Sequence, residues 1–161
     1  MKKISICIIM MIFIIIICKS VYASNNNYAT SNKYLINEDY RYIYQIDSYT
    51  PVTNFYSNIV VHSSISNHVY DTSGNKKEDN QNLATGDLLM FKNREKYTIS
   101  VSKDLNGDGN VSISDMALLQ SKVLNPLLDM SIESFLAADA NLDDKITISD
   151  MAFMQNYILN K

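Results

Sequence analysis

DLNGDGNVSISDMALLQ, residues 104–120, returns in altered form as DANLDDKITISDMAFMQ, residues 139–155. The offset is 35 residues, and Ile-Ser-Asp-Met-Ala stands unchanged at 113–117 and at 148–152. With about half of the positions identical in register, the pair reads as an internal duplication. Each copy opens with carboxylates and amides at alternate positions, passes through hydroxyls and ends in an apolar run. That order describes a loop feeding a helix, twice.

In the first copy Asp104, Asn106 and Asp108 occupy positions 1, 3 and 5 of a twelve-residue loop, with Gly109 at 6, Asn110 at 7, Ser112 at 9 and Asp115 at 12. Calcium takes six to eight oxygens at about 2.3–2.6 Å, and this spacing delivers them. Three side chains, the Asn110 carbonyl, a hydroxyl or water through Ser112 and the closing Asp115 carboxylate make the set. The second copy supplies Asp139, Asn141, Asp143, the Lys145 carbonyl, Thr147 and Asp150. Two calcium ions are therefore expected. The competing account is two acidic turns beside core helices, with no metal; against it, carboxylates converging twice without a counter-ion repel one another. Val111 and Ile146, both at position 8, are the apolar anchors. Gly109 permits a sharp turn, whereas Asp144 at the same position adopts positive φ only with some strain. The second site is expected to be weaker, its extra carboxylate partly offsetting the loss.

The twelfth residue is Asp where an EF-hand has a bidentate Glu, and the residues before Asp104 alternate like a strand, so no helix enters the first loop. Helices follow both loops. Met116, Leu119, Val123 and Leu124 mark one apolar face, and Met151, Phe153, Met154, Tyr157, Ile158 and Leu159 the other. Pro126 ends the first helical region, and SIESFLAA from Ser131 predicts a short connecting helix capped by that serine.

Paired loops of the form D-x-N-x-D-G, with Asp144 in place of the glycine in the second, each closing on Asp and followed by a helix, resemble the dockerin domain, particularly the type I kind, over about 103–161. The resemblance implies a secreted, calcium-dependent adaptor that binds a cohesin module of a scaffoldin in a cellulosome-like polysaccharide-degrading complex. It also implies two loop-helix repeats (F-hands) and cohesin contacts at loop positions 10 and 11 and along the following helix. These map to Ile113, Ser114, Gln120, Ser121 and Asn125, and to Ile148, Ser149, Gln155, Asn156 and Asn160. Position 10 is Ile in both copies where well-known members often carry Ser or Thr. Ile113 and Ile148 either pack on a neighbouring helix or stand exposed for recognition. The near-identity of the two faces implies docking in either of two orientations related by a half turn.

Upstream the signal is of another kind. Lys2 and Lys3, the apolar run Ile4–Cys18 and the small residues of Val21-Tyr22-Ala23 predict a signal peptide over 1–23; the run is shorter than the roughly 20 residues of a spanning helix. Ile17 before Cys18 disfavours a lipoprotein anchor. Both cysteines, Cys7 and Cys18, fall in that segment. Its loss takes the basic count from 14 to 11 against 17 acidic residues, for a net charge of about −6, which disfavours nucleic acid and suits a cation.

Residues 24–33, rich in Ser, Asn and Thr, read as a disordered leader. From 34 to 103 the pattern is a small β-rich module, so the fold class is α+β: this module, then an all-α pair of loop-helix repeats over 104–161. Tyr40, Tyr42, Tyr44 and Ile46 alternate, as do Tyr97, Ile99 and Val101. TPVTNFYSNI predicts a short helix with Thr50 as cap, Pro51 at the first helical position, and Val52, Phe55 and Ile59 on one face. DTSGN at Asp71 and ATGD at Ala84 are turns. His62 and His68 lack a third ligand for zinc.

The module's role is open among three readings. It steadies the repeats; or it binds carbohydrate through the tyrosines at 40, 42, 44, 49 and 56; or it acts on a glycan, for which Glu38, Asp39, Asp47, Asp71, Glu78, Asp79, Asp87 and Glu95 are the carboxylates at hand. The expectation is that the chain is not an enzyme.

Overall fold

The computed structural model describes residues 28–62, 67–91 and 94–161. The expected signal peptide, with both cysteines, and residues 24–27 of the expected leader lie outside the described residues. Strands come first and helices later, an α+β arrangement: β1 (Tyr28–Thr30), β2 (Leu35–Asn37), β3 (Tyr42–Ile46), α1 (Val52–Ser57), β4 (Val60–His62), β5 (Asn67–Tyr70), β6 (Leu88–Phe91), β7 (Lys96–Val101), α2 (Ile113–Leu124), α3 (Ile132–Ala138) and α4 (Ile148–Leu159). Among the described residues no helix is long and apolar enough to cross a membrane.

Five strands form one sheet in the order β2-β3-β7-β6-β5, with β3 and β7 parallel and the other neighbours antiparallel. The central β7 buries Tyr97, Ile99 and Val101, the alternation expected of it. With Ile43, Ile46, Phe55, Leu83 and Leu89 they build the module's core. Burial pushes the Tyr97 hydroxyl up to about 12, and Glu38, which accepts its hydrogen bond, adds to the rise.

Upstream of Asp104 several expectations are corrected. Residues 28–33 are not a disordered leader: β1 pairs with β4, Ala29 is buried, and its N–H donates to Tyr97 Oη at 3.2 Å. Polar composition hid a pairing made with a strand some thirty residues on. The alternation from Tyr40 does not hold, because Tyr40 lies before β3 and the register of β3 on β7 shifts between Ile43 and Ile46. Gln45 sits there at φ 62°, and the bulge turns both Ile43 and Ile46 inward although they are three apart. Thr50 does not cap α1. Pro51 is the N-cap residue, Thr50 Oγ1 donates to the Asp47 carbonyl, and the free N–H groups of Val52 and Thr53 donate to the carbonyls of Gln81 and Asp79 at 2.9 Å.

The second core lies between the helices. Leu119 and Met154 are buried at equivalent positions with Leu105, Ala137 and Ala138, and Met116, Val123, Met151 and Ile158 pack against them. Met116, Leu119 and Val123 correspond to Met151, Met154 and Ile158 at the offset of 35, so the same stripe at spacing i, i+3, i+7 is used twice. Leu124, Phe153 and Leu159, expected on these apolar faces, are exposed instead. At about 100° per residue they fall off the stripe.

The sheet and the helices share a seam. α3 lies against β3 and β7, Ser100 Oγ donates to the Glu133 carbonyl at 2.8 Å, and Lys103 N–H donates to the Ala137 carbonyl at 2.8 Å.

Candidate functional site

Both loops are held by their first and last carboxylates. In the first, Asp115 Oδ1 accepts the N–H groups of Leu105 and Asn106 at 2.9 and 3.1 Å, and Oδ2 accepts Ser112 N–H at 2.9 Å. In the second, Asp150 does the same with Ala140, Asn141 and Thr147 at 2.9, 3.3 and 2.9 Å. Asp115 and Asp150 are fully buried. Each also completes a capping box, with Ser112 at the start of α2 and Thr147 at the start of α4. One side chain therefore closes a loop and starts a helix. Ser131 caps α3, its hydroxyl accepting Ser134 N–H.

Asp104 Oδ1 accepts Gly107 N–H at 3.0 Å, and Oδ2 accepts Gly109 N–H at 3.2 Å. Asp139 accepts Asp143 N–H at 3.1 Å and Asp144 N–H at 2.9 Å. Positions 3 and 5 face one another: the Asn106 amide donates to Asp108 Oδ2 at 2.8 Å, and Asn141 to Asp143 Oδ2 at 3.0 Å. Asn110 and Lys145, whose carbonyls stand at position 7, are exposed and send their N–H groups to Asp108 and Asp143.

Among the described residues no group of three or more His, Cys, Asp or Glu side chains stands as it is in an arrangement able to hold a metal ion. The carboxylates at positions 1 and 12 accept backbone N–H groups, which solvate them without neutralising their charge. The donor set nonetheless fits calcium: only oxygen donors of carboxylate, amide, carbonyl and hydroxyl type occupy the positions, with no thiol or imidazole among them. Burial pushes Asp104 up to about 6; Thr85 N–H works against that rise and the charge of Asp115 adds to it. A buried acid so placed is one that a bound cation would relieve.

Leu142 and Asp144 adopt the left-handed backbone at φ 63° and 61°, matching Gly107 and Gly109 at 72° and 79°. Val111 is buried and Ile146 half-buried, as expected of loop anchors.

The surface repeats as faithfully as the core. Ile113 and Ile148 are 73% and 74% exposed, Leu124 and Leu159 77% and 74%, and Leu118 and Phe153 41% and 54%. Ile113 and Ile148 are thus exposed and do not pack on a neighbouring helix. Ser114, Gln120, Ser121 and Asn125 in the first copy, and Ser149, Gln155, Asn156 and Asn160 in the second, are exposed as well. Leu118 was not singled out from sequence, and Phe153 only as part of an apolar face; the signal for both as surface residues was their equivalence across the duplication.

The remaining candidates are scattered. His62, in β4, stacks on Tyr28 with ring centroids 4.3 Å apart, and His68 lies in β5. Tyr40, Tyr42 and Tyr44 line a cleft of about 200 Å³ with Asn37, Ile132 and Leu136, whereas Tyr56 packs on Phe55 and Tyr49 meets Lys161.

Against known proteins, residues 102–159 match the family model of the dockerin type I domain. No curated protein and no solved structure matches the chain. The family match supports a dockerin domain over those residues, a domain type that binds calcium and cohesin modules.

Proposed function

We propose that the chain is a secreted, calcium-folded adaptor whose dockerin docks on a cohesin module and so attaches the protein to a scaffoldin of a cellulosome-like polysaccharide-degrading complex. The observation that carries this is the exposed apolar set, Ile113, Leu118 and Leu124 with Ile148, Phe153 and Leu159, repeated at one offset and left in water. Large apolar side chains left exposed at equivalent positions of both copies favour a partner. Each isoleucine buried in a complex would contribute roughly 1.5–3 kcal/mol. Because the two sets are equivalent, either copy can lead, giving two docking orientations.

Two ions are proposed, one held by Asp104, Asn106, Asp108, Asn110, Ser112 and Asp115, the other by Asp139, Asn141, Asp143, Lys145, Thr147 and Asp150. Calcium supplies positive charge to a domain with a small core; these residues supply the oxygens, Asn110 and Lys145 through their backbone carbonyls, and the capping boxes of Ser112 with Asp115 and Thr147 with Asp150 start the helices that carry the apolar sets. The test is calorimetric titration of the full chain with calcium while helicity is followed. Two sites coupled to a gain in helix support the adaptor, and no uptake overturns it. Cohesin binding by Ile113→Asp and Ile148→Asp, singly and together, then tests the two orientations: each single variant keeps most of its affinity, and the double variant loses it.

The β-rich module is proposed to steady the dockerin without catalysis. Its carboxylates serve local structure: Asp87 is buried on Lys77, Asp71 closes a turn by accepting the N–H groups of Ser73 and Asn75, Glu38 binds Tyr97, and Asp47 pairs with Lys33. One observation favours a second role, carbohydrate binding: the cleft lined by Tyr40, Tyr42 and Tyr44. Retention of the full chain on insoluble polysaccharide, lost on Tyr40→Ala, would establish it.

A further inference from the structure

The first loop has a contact that the second lacks. Thr85, in the turn Ala84–Asp87 of the β-rich module, donates its backbone N–H to Asp104 Oδ2 at 3.0 Å across nineteen positions of sequence. Thr85 is itself buried and stitched to β7, its hydroxyl donating to the Val101 carbonyl at 3.2 Å and accepting Val101 N–H at 3.0 Å. The turn is braced from behind: Asp87 Oδ2 accepts Ala84 N–H at 2.8 Å and the Lys77 ammonium at 2.6 Å. On the other side of the contact, a Cβ added to Gly107 would come within 2.4 Å of the Thr85 carbonyl oxygen.

Loop two isolates the reason for that glycine. Leu142, the equivalent of Gly107, holds nearly the same backbone at φ 63° with its side chain exposed, so the fold of the loop does not itself demand glycine. What excludes a side chain at 107 is the backbone of Thr85 lying on it. Among the described residues Asp139 accepts hydrogen bonds only from within its own loop, from Asp143 and Asp144.

We propose that Thr85 is a positioning residue for the first calcium loop, so that calcium at that loop tightens the β-rich module while calcium at the second does not. It rests on the reading of 104–115 as a calcium loop. A donor on a ligating carboxylate orients it for the ion, and the ion, by reciprocity, strengthens the hold on the donor. The signal runs Asp104, Thr85, Val101, which is from the loop into the central strand of the sheet.

The test uses the full chain with calcium alone, pairing calorimetry with amide hydrogen exchange at Thr85 and Val101. Calcium is expected to slow exchange at both amides by about tenfold or more. The protection should survive Asp139→Asn and vanish in Asp104→Asn. Gly107→Leu, which installs the residue of the second loop, should weaken one of two sites and abolish the protection, whereas Leu142→Gly should leave it intact. If calcium binds and exchange at Thr85 is unchanged, or if Asp139→Asn removes the protection as fully as Asp104→Asn does, the coupling is overturned while the calcium reading stands. No calcium uptake overturns both. The unmodified chain and Asp139→Asn, each with and without calcium, decide the matter even if Gly107→Leu fails to fold.

Discussion

The two loops have one backbone and two neighbourhoods. Both close on a buried aspartate that caps the next helix, and both pass through two left-handed residues, yet one uses glycines there and the other Leu142 and Asp144. The first is entered from a strand and lies under a turn of the β-rich module; the second is entered from α3, whose C-cap is Asp139. A difference that reads from sequence as decay of the second copy is, at Gly107, a record of what the first copy touches.

The comparison is broken most completely by removing both leading aspartates. Asp104→Ala with Asp139→Ala should abolish calcium uptake and most of the helical dichroism of the C-terminal region. At calcium a thousandfold above Kd the loss is about 4 kcal/mol per site, read as a collapse of calcium-dependent thermal stability.

Lys77→Met should separate the loops. It leaves Asp87 buried without its cation, for a loss of roughly 3–5 kcal/mol in denaturant unfolding at neutral pH. Burial already holds Asp87 above the usual carboxylate range. A raised folded-state pKa favours the protonated fold, so the penalty of the variant should be full above that pKa and fade as pH falls toward about 4. Because Asp87 braces the turn that carries Thr85, calcium affinity should drop at the first site and hold at the second.

Leu119→Ala and Met154→Ala probe the half of the comparison that should not differ. Both residues are fully buried at equivalent positions, and each truncation should cost about 2–5 kcal/mol by chemical denaturation. A clear inequality would mean that the duplication is less symmetric inside than outside. The smallest effect is expected of Asp144→Gly, which relieves a left-handed aspartate and should tighten the second site by no more than about 1 kcal/mol in calorimetry.

Much of the candidate site was legible because it is local. The spacing of the loop oxygens, the cap Ser131 and the helix stripe through Leu119 and Met154 all depend on residues within a few turns of each other; Ser112 and Thr147 were read as loop oxygens, and their capping role emerged only in the structure. The strand that runs into Asp104, β7, was legible for the same reason. What escaped was set by distant partners. β1 becomes a strand because β4 is there to pair with it, and Gln45 breaks the period of β3 through its register on β7. Nothing near Thr85 in sequence announces Asp104. Leu124, Phe153 and Leu159 look like core residues by composition; only their angle about the helix axis sends them outward.

Two residues, Ser102 and Lys103, separate the end of β7 from Asp104, and neither is slack: Ser102 N–H donates to the Ile46 carbonyl at 2.8 Å, and Lys103 is tied to Ala137 and lies over the Tyr157 ring at 5.2 Å. Appended modules commonly hang on flexible linkers that let them search a volume around their anchor. Here there is no tether to swing on. Whatever holds the helices also sets the heading of the sheet, so the tyrosine cleft would be aimed in one direction by the act of docking, like a fitting keyed to its shaft.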